Sequence, residues 1–372
     1  MAAGDHSVFR PQRDSADRVV PRLAAVGSCP ICGAPDSDVL FRSPDMWQGV
    51  PGEFTYRRCV SCRTVFQDPR VIPEDIPLCY PDGYYTHARA GKVVGTRNDE
   101  QPPGRRFGVL RNWVRKAIVR AVQRTRNAKS QTSAGVVLAG MRGLRERAFF
   151  GLLDELIPRQ TGAARALDVG CGAGPLMAEL SRAGWAVEGL EPDQVAADVA
   201  RRTSGCRVTV GDLLTTDLPA SVFDLVVLSH MFEHLDDPNA ALKRIGELLA
   251  PTGRAVLIYP NPEGLGARLF KNRWTEWDPP RHLVIPPISA ICSAARRNGL
   301  RPLSARTATM STRELVRSRQ LQRGVTPTEP PMNGGDRVLK ILSNLLVCLR
   351  PQLGESIVVS LRKEATASVV GG

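Results

Sequence analysis

Aromatic side chains make up only 5% of this 372-residue chain, and histidine occurs five times. A histidine-rich metal tract is therefore excluded, and any histidine that falls beside an acid at a strand end stands out. Long apolar runs are missing too: none approaches the ~20 residues that span a bilayer. The first thirty residues carry charges and prolines where a signal peptide has its apolar centre, so a cytoplasmic location is expected. Acids are outnumbered by bases, 37 against 50, which gives a formal charge of +13. With 42% hydrophobic and 23% charged residues, the length allows a full core and a second, smaller domain. No internal repeat is present.

What is there begins with Ala166 to Gly174, which reads A-L-D-V-G-C-G-A-G. An apolar strand running straight into Gly170, Gly172 and Gly174 makes a turn for a nucleotide cofactor. A dinucleotide site wants G-x-G-x-x-G; here the third glycine comes one residue early and Pro175 takes its place. An acid that binds ribose hydroxyls is expected roughly 20 residues on, and Glu191 closes a second strand there. Cys206 to Asp212 reads as a third strand whose Asp212 would take an adenine amino group while Leu213 packs on the ring. Phe223 to Ser229 gives a fourth strand and Arg254 to Tyr259 a fifth. The alternative, a bare strand-to-helix turn with a solvated Glu191, leaves this ordered series of strand ends without a purpose. The first motif resembles the L-D-x-G-C-G-x-G of class I S-adenosylmethionine (SAM) methyltransferases, with Asp168 as its acid. That resemblance implies an α/β fold with a Rossmann-like, doubly wound sheet of seven strands. It also implies a SAM site formed by Asp168, Gly170, Cys171, Gly172, Gly174, Glu191, Asp212, Leu213 and Ser229.

Four of the nine cysteines form two knuckles, Cys29-x-x-Cys32 and Cys59-x-x-Cys62. Four thiolates at this spacing read as a structural Zn2+ site with no open position for catalysis. A small, turn-rich module is the setting in which metal binding supplies folding free energy. Redox pairs or free thiols are the alternatives, the first without the strand and helix of a thioredoxin around it. The expected organisation is a disordered tail at 1–26, a zinc-ribbon-like module at 27–90, a basic linker at 91–142 and a SAM-binding core at 143–310. Residues 311–372 add helices and the last strand.

Residues 101–150 hold twelve Arg or Lys and one acid. Within 107–124, Leu110, Trp113, Val114, Ala117, Ile118, Ala121 and Val122 recur at helical spacing. Such a helix lies on an anionic membrane surface, packs on its own core, or meets a phosphate-rich partner. Farther on, Pro260 to Pro287 reads as an irregular segment over the cofactor edge. A helix over 288–298, a sixth strand over 300–308, an extra helix over 338–349 and a last strand over 355–362 complete the core.

Methyl transfer to a hydroxyl needs the acceptor aligned and its proton removed. His230-Met-Phe-Glu-His234 follows the fourth strand at the sheet's carboxyl edge, where open α/β folds bind ligands. His234 is the expected general base and Glu233 its orienting carboxylate, with His230 and His282 in reserve. A side chain merely hydrogen-bonded into a loop is the alternative for each histidine. The same letters spell H-x-x-E-H, which in zinc peptidases requires one long helix; Pro238 follows too soon for that. The pattern from Leu167 to about Thr307 resembles the subgroup that includes ubiquinone-type methyltransferases. The knuckles, Tyr80 to Tyr85 and the run from Trp274 to His282 are similar to methyltransferases of sugar and polysaccharide biosynthesis. That likeness implies a small-molecule or glycan acceptor, lipid-linked ones included, methylated on a hydroxyl or, second, on carbon. Trp274, Trp277, Tyr84 and Tyr85 are candidates to stack on sugar rings, with plain packing between the zinc module and the core the favoured alternative for at least two of them, and Arg281 would meet an acceptor anion. Ribosomal RNA is the runner-up acceptor, with nucleic acid ranked below small molecules, and a non-catalytic binding module is the third possibility.

Overall fold

The computed structural model of the chain describes residues 18–80, 156, 164–308, 312–325 and 333–364. Tyr84, Tyr85 and the whole expected linker, 91–142, with its basic segment 107–124, lie outside the described residues.

The central sheet grows from short apolar runs. Strands β6 (Arg165–Val169), β7 (Ala186–Glu191), β8 (Arg207–Val210), β9 (Phe223–Ser229) and β10 (Leu249–Pro260) run parallel to one another. β6, β9 and β10 are buried along nearly their whole length, as strands with both faces covered must be. Helices cross between them: α1 (Pro175–Arg182), α2 (Gln194–Ser204) and α3 (Pro238–Leu248). Each has a local cause. Pro175 and Pro238 fix the backbone of a first turn, and Asp193 and Asp237 cap their helices by accepting from Ala196 N (2.6 Å) and Ala240 N (2.9 Å).

Seven strands lie in the order β12-β13-β10-β9-β6-β7-β8, where β12 is Leu300–Ala308 and β13 is Ser356–Lys363. β13 runs antiparallel to both neighbours. The chain winds outward from β6 through β7 to β8, then returns to place β9 on the other side of β6. That reversal opens a crevice at the carboxyl ends of β6 and β9, the place where such sheets bind ligands.

The amino-terminal residues form β1 (Leu23–Ala24), β2 (Ser37–Ser43), β3 (Phe54–Cys59), β4 (Val65–Gln67) and β5 (Arg70–Val71). β2, β3 and β4 make a second sheet that borrows its edge strand, β11 (Val284–Ile285), from the segment after β10. That segment, expected to be irregular, also holds α4 (Leu265–Phe270) and short helical turns at Lys271–Arg273 and Thr275–Trp277. The two sheets share one core: Ile31, Tyr56, Val65 and Phe66 pack in the same apolar cluster as Phe232, Tyr259 and Trp274. Helices α5 (Ile288–Arg297), α6 (Thr312–Gln322) and α7 (Gly334–Leu349) complete the described chain. α7 keeps Val338, Ile341, Leu342, Leu345 and Leu349 exposed. Among the described residues no helix is long and apolar enough to cross a membrane.

Candidate functional site

At the mouth of β6 the three glycines all take left-handed backbone, with φ of +68° at Gly170, +52° at Gly172 and +80° at Gly174. Only glycine adopts such a succession without strain. A Cβ added at Gly170 would lie 2.5 Å from Met231 Cγ, and one at Gly174 would lie 2.9 Å from Ala200 Cα. The turn is pinned to the neighbouring strand, because Gly170 N and Cys171 N both donate to Leu190 O, at 2.8 and 3.2 Å. Glu191 closes it: one carboxylate oxygen accepts from Gly172 N at 2.8 Å and the other from Asp193 N at 3.2 Å. Asp168 is 2% exposed, and its Oδ2 has no hydrogen-bond partner. Burial, reinforced by the nearby Glu191 charge, pushes its carboxyl up to about 8, so it carries a proton at neutral pH. Burial likewise holds Cys171 as a thiol. Asp212 is exposed, with Oδ1 accepting from Leu214 N at 2.8 Å. Leu213 is fully buried, and Ser229 is half-buried at the end of β9. A cradle that a Cβ would fill, one buried carboxyl with an unused oxygen and one carboxylate at the adjoining strand end fit SAM.

Across the crevice, the four titratable residues expected from the sequence come together. His230 sits just past β9 with φ +53°, an uncommon state for a bulky residue. Its Nδ1 lies 3.3 Å from Glu233 Oε1. Its side chain is 41% exposed, and the Glu233 carboxylate outweighs what desolvation remains and raises His230 to about 9. Glu233 is fully buried. Burial opposes its charge, yet His230 3.3 Å away and the facing imidazoles hold it below the usual carboxylate range. Glu233 therefore stands closest to His230, with His282 Nε2 3.9 Å away.

His234 differs. Burial, with His282 as the next cause, lowers it to about 4, so it is neutral at pH 7. Its Nδ1 lies 3.0 Å from Arg281 O and 3.2 Å from the Tyr80 hydroxyl. With Nδ1–H donating to the carbonyl, the lone pair is left on Nε2. The rings of His234 and His282 meet edge to face at 4.7 Å, and His282 Nδ1 lies 2.7 Å from Glu276 O. His234 is thus an unprotonated imidazole, the state a general base needs, beside the exposed His230 and the buried Glu233 it pairs with.

For both tryptophans the packing alternative holds, and the arginine expectation needs correction. Trp274 and Trp277 are 0% and 2% exposed and pack edge to face at 4.9 Å. Trp277 also contacts Phe41 and Tyr56, so neither indole offers a stacking face to an acceptor. Arg281 is not free for an acceptor anion, because its buried guanidinium meets Asp45 at 2.8 Å and Asp278 at 2.6 Å. Residues not anticipated at the site are Tyr56, whose hydroxyl lies 2.8 Å from both Trp277 O and His282 O, and Tyr80. Glu276 joins them; burial and then Glu314 push its carboxyl up to about 8. Only an aromatic run at Tyr80 and an acid between two tryptophans hinted at them.

The Sγ atoms of Cys29, Cys32, Cys59 and Cys62 all lie within 4.8 Å of one another. The Cys29–Cys62 and Cys32–Cys59 pairs are each separated by 3.6 Å. Thiolates about 2.3 Å from a tetrahedral zinc stand about 3.8 Å apart, so the four fit that ion. The Cys29 thiol and, against burial, the Thr64 hydroxyl hold Cys62 on the thiolate side.

A family model for a methyltransferase domain matches residues 141–305. An uncharacterized methyltransferase of Mycobacterium tuberculosis is 32% identical over 158 residues, covering 36% of this chain and 77% of that protein. A ubiquinone biosynthesis O-methyltransferase of Alkalilimnicola ehrlichii is 34% identical over 100 residues, covering 25% of this chain and 40% of that enzyme. Among solved structures, a TehB-like SAM-dependent methyltransferase from Corynebacterium glutamicum aligns at 21% identity and a TM-score of 0.35. That alignment covers 63% of this chain and 100% of the other.

Proposed function

Because the chain belongs to the class I SAM-dependent methyltransferases, we propose that it methylates a hydroxyl of a sugar, glycan or related small molecule, with carbon as the second choice of acceptor atom. The observation that carries this reading is the neutral His234 beside the buried Glu233 and its exposed partner His230, across the crevice from the glycine turn. When bound, SAM supplies a methyl carbon that its sulfonium has already made electrophilic. Gly170 to Gly174 would receive it by backbone, with Glu191 and Asp168 as the polar partners. His234 takes the acceptor hydroxyl's proton at Nε2, and its Nδ1–H stays on Arg281 O. Protonated His230 and ionised Glu233 offset one another, so the imidazolium formed at His234 has a carboxylate nearby. The relative named for ubiquinone biosynthesis is an O-methyltransferase, which supports oxygen over carbon. Zinc, held by Cys29, Cys32, Cys59 and Cys62, is proposed as structural.

The test uses zinc-replete protein, tritium-labelled methyl SAM and two acceptor sets, sugar nucleotides with lipid-linked glycans against ribosomal RNA. Label is expected in the glycan set, with turnover reduced about 10²–10⁴-fold by His234→Gln. Label in RNA alone, or undiminished turnover in the variant, contradicts the reading.

A further inference from the structure

We infer that the cysteine-bearing sheet is part of the methyl-transfer apparatus, with Asp45, Tyr56 and Tyr80 as positioning residues that fix the pose and tautomer of His234. This rests on His234 being the base. The device runs through the loop from Trp274 to Ile285, which carries His282 and supplies the carbonyl that His234 uses.

Three connections hold that loop. The first is the Arg281–Asp45 pair, in which both side chains are wholly buried. Arg281 Nη1 donates to Asp45 Oδ2 at 2.9 Å and Nη2 to Asp45 Oδ1 at 2.8 Å, the two-pronged geometry that guanidinium and carboxylate share. Asp45 is itself fixed by Trp47 N, Gln48 N and Val50 N, at 2.8, 3.1 and 3.1 Å. The carbonyl of that same arginine is the oxygen 3.0 Å from His234 Nδ1. The second connection is Tyr56, which shares its hydroxyl proton between Trp277 O and His282 O. Tyr56 lies on β3, whose last residue is Cys59, so the thiolate cluster fixes the strand that carries it. The third is backbone: Gln67 N of β4 donates to Leu283 O at 2.9 Å, and Leu283 N donates to Glu233 O at 2.7 Å. Tyr80 completes the set with its hydroxyl 3.2 Å from His234 Nδ1.

Removing any of these loosens the carbonyl that selects the His234 tautomer and admits water to a ring now held neutral by burial. The groups facing His234 are Glu233 on its own turn, Asp278, Arg281 and His282 on the loop, and Tyr80 from the amino-terminal module. Loop release moves three of them away together.

Long-range proton–nitrogen NMR of histidine-labelled full chain reads both consequences without an acceptor, and five histidines can be assigned by single His→Gln changes. In wild type, His234 is expected as one neutral tautomer with Nδ1 protonated, titrating near 4. Asp45→Asn and the milder Tyr56→Phe are each expected to give mixed tautomers and raise the midpoint by at least about one pH unit, toward the ordinary imidazole value. SAM affinity should stay within about threefold of wild type, a small change in free energy. An unchanged His234 signal in both variants overturns the inference. Loss of SAM affinity with equal disturbance of all described histidines also overturns it, since that is general destabilisation. If the signals shift as expected while His234→Gln still transfers methyl groups, the positioning stands and the base assignment falls.

Discussion

The two sides of the crevice are made differently. The side proposed for the cofactor is nearly contiguous: Asp168 to Gly174 and Glu191 come from adjacent strands, and their geometry follows from glycines at left-handed φ. On the side proposed for the acceptor, parts of the chain that are far apart must meet. Asp45 and Arg281 are 236 residues apart, Tyr56 and His282 are 226 apart, and Tyr80 and His234 are 154 apart. A local backbone device tolerates change elsewhere in the molecule, whereas a long-range clamp depends on both sheets folding together.

If that contrast holds, the largest effect comes from a single methyl-bearing residue in the cofactor turn. Gly170→Val has to fit a side chain where φ is +68° and Met231 Cγ is 2.5 Å from the new Cβ. SAM affinity should fall at least about 100-fold, equivalent to about 2.7 kcal/mol, as read by calorimetry. Next in size is the metal knuckle. Cys62→Ser should lose bound zinc and lower the melting temperature by about 10 °C, with SAM binding largely kept at a temperature where the protein is still folded. Equal loss of SAM binding would mean the two sides are not separable. The smallest effect sharpens the electrostatics of the cofactor side. Asp168 has a folded pKa raised to about 8, above its unfolded value near 3.9. Its contribution to stability is present below pH 4 and is lost as pH rises toward 8. Asp168→Asn cannot ionise, so apo variant and wild type should diverge by a few degrees between pH 5 and 8, with the variant the more stable. A flat difference across that range would place Asp168 in a more polar setting.

The same division explains what could be read from the chain. β6 through β10, the glycine turn and the His230–His234 stretch were legible because each depends on residues close in sequence: alternating or continuous apolar runs, a glycine triplet, an acid at a strand end. Trp277, with packing as its alternative, and Arg281 were candidate acceptor contacts because an aromatic and a cation in a proline-rich loop look exposed. Burial of that loop is decided by β3 and β4, which lie more than 200 residues away. Asp45 was not singled out at all, since a lone acid before Met46 and Trp47 gives no sign that its partner is a buried arginine. Glu233 was legible as an acid between two histidines after a strand, but its closest partner, His230, is set by the tight turn after β9 and not by spacing.

The most direct measurement is SAM titrated by calorimetry into zinc-replete wild type, Gly170→Val and His234→Gln side by side. Micromolar binding in wild type and His234→Gln, with none in Gly170→Val, is the expected result. Equal affinity in all three, or no binding by wild type, would contradict a cofactor side built on the glycine turn and separate from the histidine that serves the acceptor.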